Sequence, residues 1–254
     1  MYDDLERPPL RVGPLNRALA ADGWRVEVVT SAPSTNGLVA DRARAGEPAG
    51  LVIVAESQTA GRGRLGRTWT SPSRAGLTFS VLLRPSLEPA QWGWLPLLSG
   101  VAVARALREQ TGVDAVLKWP NDVLIDGRKT CGLLAEAVVP GVVVLGVGLN
   151  VTTRRLELPH AGATSLQIEG ASTTDRDTVL RAILRELTVV LADVDAGRAG
   201  YRALCSTLGR QVRVELPTGA VEGTAAAVDD DGRLVVDGRA YGAGDVVHLR
   251  PLTR

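Results

Sequence analysis

The sequence predicts an α+β protein, with a large mixed domain over residues 1–207 and a small β-barrel over residues 208–254. Before Gly209, strand patterns occur in hairpins as well as beside helices, which is typical of a mixed β-sheet with flanking helices. After Gly209, short alternating strands are separated by frequent turns, as in a small barrel. A chain of 254 residues has room for one large domain and one small domain.

The first third of the chain predicts two helices and three strands. Residues 1–12 look like a frayed arm. Ser34-Thr35-Asn36 is an N-cap cluster, so a short helix is expected to begin there and to end at Gly46. The other expected elements are a helix over 15–21 and strands over 24–29, 51–55 and 77–83.

The remainder predicts a long helix, two hairpins, a further helix and the barrel. Apolar spacing predicts a helix over 94–110 that ends before Gly112, and Asp126-Gly127 is a strong hairpin turn signal. Strands are expected over 116–119, 122–125, 129–139 and 142–150, and a helix with one apolar face over 178–196. The barrel strands are expected over 212–216, 222–228, 234–236, 240–241 and 246–249.

Composition and charge exclude several classes of protein. The 29 basic and 28 acidic residues give a net charge of +1, whereas a general polyanion binder has a clear basic excess. Two cysteines and two histidines do not suggest a disulfide scaffold or a zinc site. Residues 1–11 lack the apolar core of a signal peptide, and no run of about 18 apolar residues predicts a membrane span. We therefore expect a cytoplasmic protein.

The segment of residues 58–73, here called the Gly-Arg loop, carries the strongest chemical signal. It contains Gly61-Arg62-Gly63-Arg64-Leu65-Gly66-Arg67, in which three glycines alternate with three arginines. Glycines allow close approach of the backbone to a ligand, and guanidinium groups suit carboxylates and phosphates. A solvated flexible loop or an RNA-binding segment is the alternative. The position of the loop between two apolar strands, and its ending in Trp69, favour a loop that folds over an anion.

A second group of residues is Lys118-Trp119-Pro120-Asn121-Asp122, followed by Lys129 and Gly132. Strand alternation can direct Lys129 toward the floor of a pocket, and a lysine on a sheet face is costly unless it meets an anion. Asp122 can pair with a lysine or hold a magnesium ion. A surface hairpin with solvated lysines remains the alternative.

Two weaker motifs complete the set. Gly146-Val147-Gly148-Leu149-Asn150 resembles a nucleotide-binding glycine pair but lacks the helix that a dinucleotide fingerprint requires, so close packing at a strand end is the simpler explanation. Ser34-Thr35-Asn36 can cap a helix, or its hydroxyls and the helix N-terminus can bind a polar ligand group.

These four motifs, in this order, resemble the biotin protein ligase family, and the resemblance covers about residues 24–250. It implies a class II synthetase-like catalytic domain with a mixed sheet and flanking helices, and a C-terminal SH3-like barrel. About 23 residues precede the first expected strand, too few for the winged helix that some members carry, so we expect the short form of the family without DNA binding.

The resemblance also implies roles for individual residues. Contacts to biotin or its adenylate are expected from Ser34, Thr35, Asn36, Gln58, Gly61, Arg62, Gly63, Arg64, Lys129, Gly132 and Gly148. The ATP side is expected to use Arg67, Trp69, Lys118, Asn121 and Asn150, with Arg250 reaching toward the nucleotide. Lys129, Arg64 and Asp122 are the expected catalytic residues, and Asp122 is the candidate ligand for Mg²⁺.

The activity implied is activation of biotin by ATP to biotinyl-5'-AMP, followed by transfer to a lysine of a biotin carboxyl carrier protein or domain. A lipoate or octanoate ligase on the same fold is the nearest alternative. A non-catalytic RNA-binding protein is the alternative from another class, although few aromatic residues are present for base stacking. The sequence leaves open whether the protein is a monomer or a homodimer.

Overall fold

A computed structural model describes residues 6–249, and a seven-stranded sheet forms its centre. The strands are β1 (Arg25–Val29), β2 (Leu51–Ala55), β3 (Gly76–Leu83), β4 (Ala115–Lys118), β5 (Asp122–Ile125), β6 (Arg128–Val139) and β7 (Val142–Asn150). Their order is β1-β2-β3-β7-β6-β5-β4, with β1 and β2 parallel and the other neighbours antiparallel.

Helices cover both faces of this sheet. They are α1 (Val12–Leu19), α2 (Thr35–Arg44), α3 (Trp94–Thr111), α4 (Arg176–Ala192) and α5 (Val194–Leu204). Side chains alternate between the two faces of a strand, so Val52 and Val54 join the core beneath α3 and α4, while Leu51 and Ile53 pack against α2. This double cover explains why β2 is apolar at every position.

A second, smaller sheet follows α5. Its strands are β8 (Gln211–Leu216), β9 (Gly219–Val228), β10 (Leu234–Val236), β11 (Arg239–Tyr241) and β12 (Asp245–His248), all paired antiparallel in the order β11-β10-β9-β8-β12. The α+β class, with a small β domain at the C-terminal end, is therefore confirmed. None of the helices within residues 6–249 has the length and apolar character that a membrane crossing requires.

Two tryptophans connect the small sheet to the large domain, Trp94 from the start of α3 and Trp119 from the turn between β4 and β5. The indole N–H of Trp94 donates to the carbonyl of Asp230 at 3.0 Å, and that of Trp119 donates to the carbonyl of Gly232 at 3.1 Å. At the same turn, a Cβ on Gly93 would lie 2.4 Å from the carbonyl oxygen of Asp231, so the two backbones touch. This docking brings β12 beside the turn between β4 and β5.

The expected single helix over 178–196 is wrong, because the structure has two helices there. α4 ends at Ala192, and Asp193 has non-helical backbone angles (φ −128°, ψ 86°). The Asp193 carboxylate accepts a hydrogen bond from the amide of Ala196 at 3.0 Å, which satisfies a free amide at the start of α5.

The expectation of a frayed arm over residues 1–12 is also wrong for the part that the structure describes. Leu10 is 8% exposed and belongs to the core, and the Arg7 guanidinium pairs with Glu157 at 2.6 Å. α1 already begins at Val12. Residues 1–5 lie outside the described range.

Candidate active site

A cavity of about 810 Å³ lies between the Gly-Arg loop, the turn from β4 to β5, the glycines of β6 and β7, and strand β12. All but one of the predicted site residues within 6–249 line it. They are Ser34, Thr35, Asn36, Gln58, Arg62, Gly63, Arg64, Arg67, Trp69, Lys118, Asn121, Asp122, Lys129, Gly132, Gly148 and Asn150. The exception is Gly61, and Arg250 lies outside the described residues.

The Gly-Arg loop has a regular internal structure. Gly63 donates to the carbonyl of Arg67 at 2.6 Å and Trp69 donates to that of Gly61 at 2.9 Å, so the loop folds back on itself as a small hairpin. A Cβ on Gly61 would lie 2.3 Å from the carbonyl oxygen of Trp69. Glycine at position 61 is therefore needed for the hairpin to close.

The tip of this hairpin reaches the small sheet. Arg67 forms an ion pair with Asp245 at the start of β12. The Arg64 guanidinium donates to the carbonyl of Gly244 at 3.4 Å and to Oδ1 of Asn121 at 3.3 Å. The loop thus spans the cavity between the two sheets. Asp245 was missed by the sequence analysis, since nothing near it in the chain marks it as a partner of the loop.

One carboxylate sits among several basic groups in the cavity. The Lys129 ammonium is 2.6 Å from Oδ1 of Asp122. Burial lowers the pKa of Arg64, and the positive charge of Arg67 lowers it further, while Asp122 raises it. Burial likewise lowers the pKa of Lys118, which Asp122 again raises and both Lys129 and Arg67 lower. Asp122 therefore stabilises the charged state of the basic groups around it, and an added anion would do the same.

Strand glycines form a flat wall beside these groups, and Gly132 pairs directly with Asp122 across the two strands. The indole of Trp69 lies against them: a Cβ on Gly148 would be 2.4 Å from the ring, and one on Gly132 would be 3.3 Å from it. The Lys129 ammonium lies 5.9 Å from the centre of the same ring. The glycines therefore admit a flat group against bare backbone, and the motif of β7 has a role beyond strand packing.

A cluster of polar side chains closes one end of the cavity. Gln58 Oε1 accepts from the amide of Thr35 at 2.7 Å, and the Ser80 hydroxyl donates to Asn36 Oδ1 at 2.5 Å. The Asn36 amide group donates to Glu136 at 2.6 Å. Ser34 has the position of an N-cap but makes no side-chain cap hydrogen bond within the described residues. The ligand-binding role expected for these polar groups stays a prediction, and the contacts observed here are within the protein.

Two further segments line the cavity that the sequence analysis did not assign. The first is the turn over 159–163, where Gly162 accepts from the Lys129 amide at 2.8 Å and His160 faces the cavity. The proline and glycine in this segment were the sequence features that could have indicated a turn here. Asn150, expected on the ATP side, is 4% exposed and donates to the carbonyl of Thr164 at 2.9 Å, just beyond this turn.

The second is β12, which contributes His248. The Thr207 hydroxyl lies 3.0 Å from Nε2 of His248 and accepts a hydrogen bond from the Trp119 amide at 3.1 Å. Burial, followed by the positive charges of Lys118 and Arg210, lowers the pKa of His248 to about 4. A neutral histidine therefore joins the small sheet to the segment that carries Lys118.

The acidic residues that the structure describes form no dedicated metal cage. Within residues 6–249, no group of three or more His, Cys, Asp or Glu side chains is placed to hold a metal ion. Asp122 can supply one oxygen ligand, but its carboxylate is engaged by Lys129. A magnesium ion at this position would need most of its ligands from a phosphate-bearing substrate and from water.

Comparison with families of known proteins gives matches along most of the chain. The model of the biotin/lipoate A/B protein ligase family matches residues 28–151. The model of the biotin protein ligase C terminal domain matches residues 207–249. The second match coincides with the small sheet.

Individual relatives agree with these matches. The biotin–[acetyl-CoA-carboxylase] ligase of Mycobacterium tuberculosis is 45% identical, over 97% of this chain and 98% of its own. The bifunctional ligase/repressor BirA of Escherichia coli is 34% identical, over 85% of this chain and 70% of its own.

Two solved structures share the fold. The biotin protein ligase from Aquifex aeolicus, in complex with biotin and ATP, has a TM-score of 0.72 at 29% identity, covering 89% of this chain and 98% of that one. The biotin protein ligase from Leishmania major, in complex with biotinyl-5-AMP, has a TM-score of 0.63 at 26% identity, with 89% and 98% covered. The chain described here belongs to the biotin protein ligase family.

Proposed function

We propose that this protein is an ATP-dependent biotin–protein ligase, which activates biotin to biotinyl-5'-AMP and transfers biotin to a lysine of a biotin carboxyl carrier protein or domain. The observation that carries the chemistry is the arrangement of Arg64, Lys118 and Lys129 around Asp122, in one cavity beside a wall of glycines. The family match supports the choice of biotin and ATP as substrates.

We assign the polar end of the cavity to the ring head of biotin. Thr35, Asn36 and Gln58 offer hydroxyl and amide groups there, and Gly132 and Gly148 border this end of the cavity with backbone that carries no side chain. Trp69 was expected on the ATP side, but its indole lies against these two glycines. We therefore place Trp69 in the biotin slot, where an entering ring competes with its indole, and leave Arg67, Lys118, Asn121 and Asn150 on the ATP side.

The first step brings two anions together. A carboxylate oxygen of biotin attacks the α-phosphorus of ATP, and pyrophosphate leaves with the electron pair of the broken P–O bond. Within residues 6–249 the cavity is lined by five Arg or Lys side chains and three carboxylates, so its balance favours an anionic ligand. We assign to Lys129 and Arg64 the stabilisation of the negative charge of the transition state.

The product of this step is a mixed anhydride that water hydrolyses. Closing the Gly-Arg loop over the cavity excludes water, and the contacts of its tip with β12 support such a closed state. In the second step a lysine amine of the carrier attacks the acyl carbon, and AMP leaves. We keep Asp122 as the candidate group that accepts the proton from this amine, and Mg²⁺ as an ion that arrives with ATP.

The remaining assignments follow from this function. We propose residues 1–207 as the catalytic domain and residues 208–254 as a small β domain that completes the cavity through β12. The acceptor is the carrier protein or domain of an acyl-CoA carboxylase, and the compartment is the cytoplasm, where such an acceptor would be modified.

The decisive experiment is incubation of the purified protein with ATP, Mg²⁺, biotin and a biotin carboxyl carrier domain, followed by mass spectrometry of the carrier. We expect the carrier to gain the mass of one biotinyl group on one lysine, and only when ATP is present. Parallel reactions contain lipoate or octanoate in place of biotin. Equal or faster modification with either acid would overturn the assignment to biotin. A lack of all modification, together with tight binding of RNA, would favour the non-catalytic alternative.

A further inference from the structure

A buried ion pair lies at the base of the Gly-Arg loop, outside the cavity. Glu56 directly follows β2, and Arg176 is the first residue of α4. The guanidinium Nη1 of Arg176 donates to Oε2 of Glu56 at 2.6 Å, and each side chain is 5% exposed. Removing two charges from water is costly, so a pair of this kind needs further hydrogen bonds to be stable.

Those further bonds come from two other segments of the chain. The second carboxylate oxygen of Glu56 accepts from the amide of Leu10 at 2.8 Å. Arg176 donates to the carbonyl of Pro8 at 2.6 Å and to that of Gly76, the first residue of β3, at 3.2 Å. The ion pair therefore ties the N-terminal arm (residues 6–11) to the strand that follows the Gly-Arg loop.

The backbone of Glu56 forms the base of the same loop. Its carbonyl accepts from the amide of Arg74 at 2.8 Å, so the residues that flank the loop are joined at this point. Two residues further on, Gln58 reaches the cavity and accepts from the amide of Thr35 at 2.7 Å. A change in the backbone conformation of Glu56 would therefore move both the loop and the polar end of the cavity.

We propose that Glu56 is a positioning residue for the Gly-Arg loop, and that the arm and Arg176 hold it in place. A loop that opens for substrates and closes over a reactive intermediate must return to the same geometry each time. The buried pair provides a fixed base for that movement, because its four hydrogen bonds come from the arm, β3 and α4. The proposal rests on the proposed function, in which this loop is the lid over the adenylate.

The test uses Glu56→Gln in the full chain, which removes the charge but keeps an oxygen acceptor for the Leu10 amide. We expect amide hydrogen exchange in residues 57–75 to become roughly tenfold faster, while exchange in β8 and β9 stays unchanged. We also expect adenylate release into solution to rise by a similar factor, with the rate of adenylate formation reduced less. A general loss of stability would speed exchange in both regions, so the two patterns are distinguishable.

Two variants serve as controls. Arg11→Gln removes an exposed partner of Asp177 on the same arm without touching Glu56, and we expect it to exchange like the wild type. The double variant Glu56→Gln with Arg176→Gln buries no unpaired charge, so it keeps the fold if Glu56→Gln alone does not. We expect the double variant to show the same local loosening of the loop.

Unchanged exchange in residues 57–75 and unchanged adenylate release, in a folded Glu56 variant, would overturn the proposal. The result is separable from the proposed function. If the wild type forms no adenylate, the function is wrong, but the exchange measurement still reports whether Glu56 anchors the loop.

Discussion

Asp122 reduces repulsion among the basic groups of the cavity. Burial lowers the pKa of both Arg64 and Lys118, and Asp122, which pairs with Lys129, acts in the opposite direction. Partly buried like charges repel each other more strongly than in water, so one carboxylate among three cations leaves an unbalanced positive charge. A ligand carboxylate or phosphate would complete the balance, which is the residue-level basis of the proposed chemistry.

At the residue scale, Lys129→Met should reduce adenylate formation by roughly 10²–10³-fold. The methionine has a similar length but supplies no charge to the transition state and leaves Asp122 without its ion-pair partner. The rate is measured as biotin-dependent exchange of pyrophosphate into ATP, after circular dichroism has shown that the variant is folded.

A matched control for this substitution is Arg128→Gln, at the neighbouring position of β6. Arg128 pairs with Glu169 at 2.8 Å and does not line the cavity. We expect this variant to keep nearly the full rate. Comparable losses in both variants would mean that strand β6, and not the ammonium of Lys129, is responsible.

At the scale of elements, the Gly-Arg loop owes its shape to a few backbone positions. Leu65 and Gly66 both have positive φ, 54° and 74°, which turns the chain tightly at the tip of the hairpin. The side chain of Leu65 is exposed, whereas Arg64 points back to the carbonyl of Gly244. The loop is therefore fixed at its tip by arginine contacts and at its base by backbone hydrogen bonds.

Replacing Arg64 by glycine should weaken closure of this loop. We expect adenylate to escape roughly tenfold faster or more, because a hydrogen bond that involves a charged group contributes about 1.5–3 kcal/mol. The escaping anhydride would react with lysines of unrelated proteins. Biotinylation of an added bystander protein, detected by blotting with streptavidin, measures the escape.

The matched control lies at the next position of the same loop. Leu65→Asn introduces a residue type that tolerates positive φ and replaces an exposed side chain that does not line the cavity. Bystander biotinylation should stay at the wild-type level. If Leu65→Asn leaks as much as Arg64→Gly, loop conformation and not the guanidinium contact controls escape.

Local patterns predicted most elements because their determinants are close in sequence. Alternation, glycine turns and apolar spacing located the seven strands of the main sheet and the long helix α3. The break between α4 and α5 was missed because the helical apolar pattern continues through it, while Asp193 acts through a local cap. The packing of the N-terminal arm against the core was not predicted. Its partner Glu56 lies 46 residues from Leu10, so no local pattern marks the contact.

At the scale of the whole molecule, the site residues also fall into two groups. Local motifs mark one group, and contacts between distant segments position the other. The residues that line the cavity from the large sheet carry recognisable motifs, and the structure brings nearly all of them together. Asp245 and His248 lie in an ordinary short strand, and their role depends on how the small sheet is docked. That docking rests on Trp94 and the turn at Gly232, contacts between segments more than 100 residues apart, which no local pattern encodes.

The position of His248, at the contact between the small sheet and the large domain, should make the stability of the folded protein depend on pH. Its pKa in the folded protein is about 4, below the ordinary value of 6.5, so the unfolded chain binds a proton in this range that the folded chain does not. Stability from this group is present above pH 6.5 and is lost as the pH falls toward 4. Protonation would also disturb the hydrogen bond with Thr207.

The measurement is Tm against pH for the wild type and for His248→Asn. Between pH 6.5 and pH 4, we expect the wild type to lose Tm more steeply than the variant, because the variant lacks the titrating ring. Parallel curves over this interval would show that His248 is not held neutral at the junction of the two sheets.

The indole of Trp69 rests on the bare backbone of Gly148, at the wall that we assign to the ring of biotin. An incoming molecule must therefore compete with a side chain of the protein itself for this surface. A loosely fitting apolar compound gains too little binding free energy to displace the tryptophan. A ligand that also reaches the polar end of the cavity gains enough to displace or reposition it. Selectivity in such a pocket comes from internal competition as well as from shape.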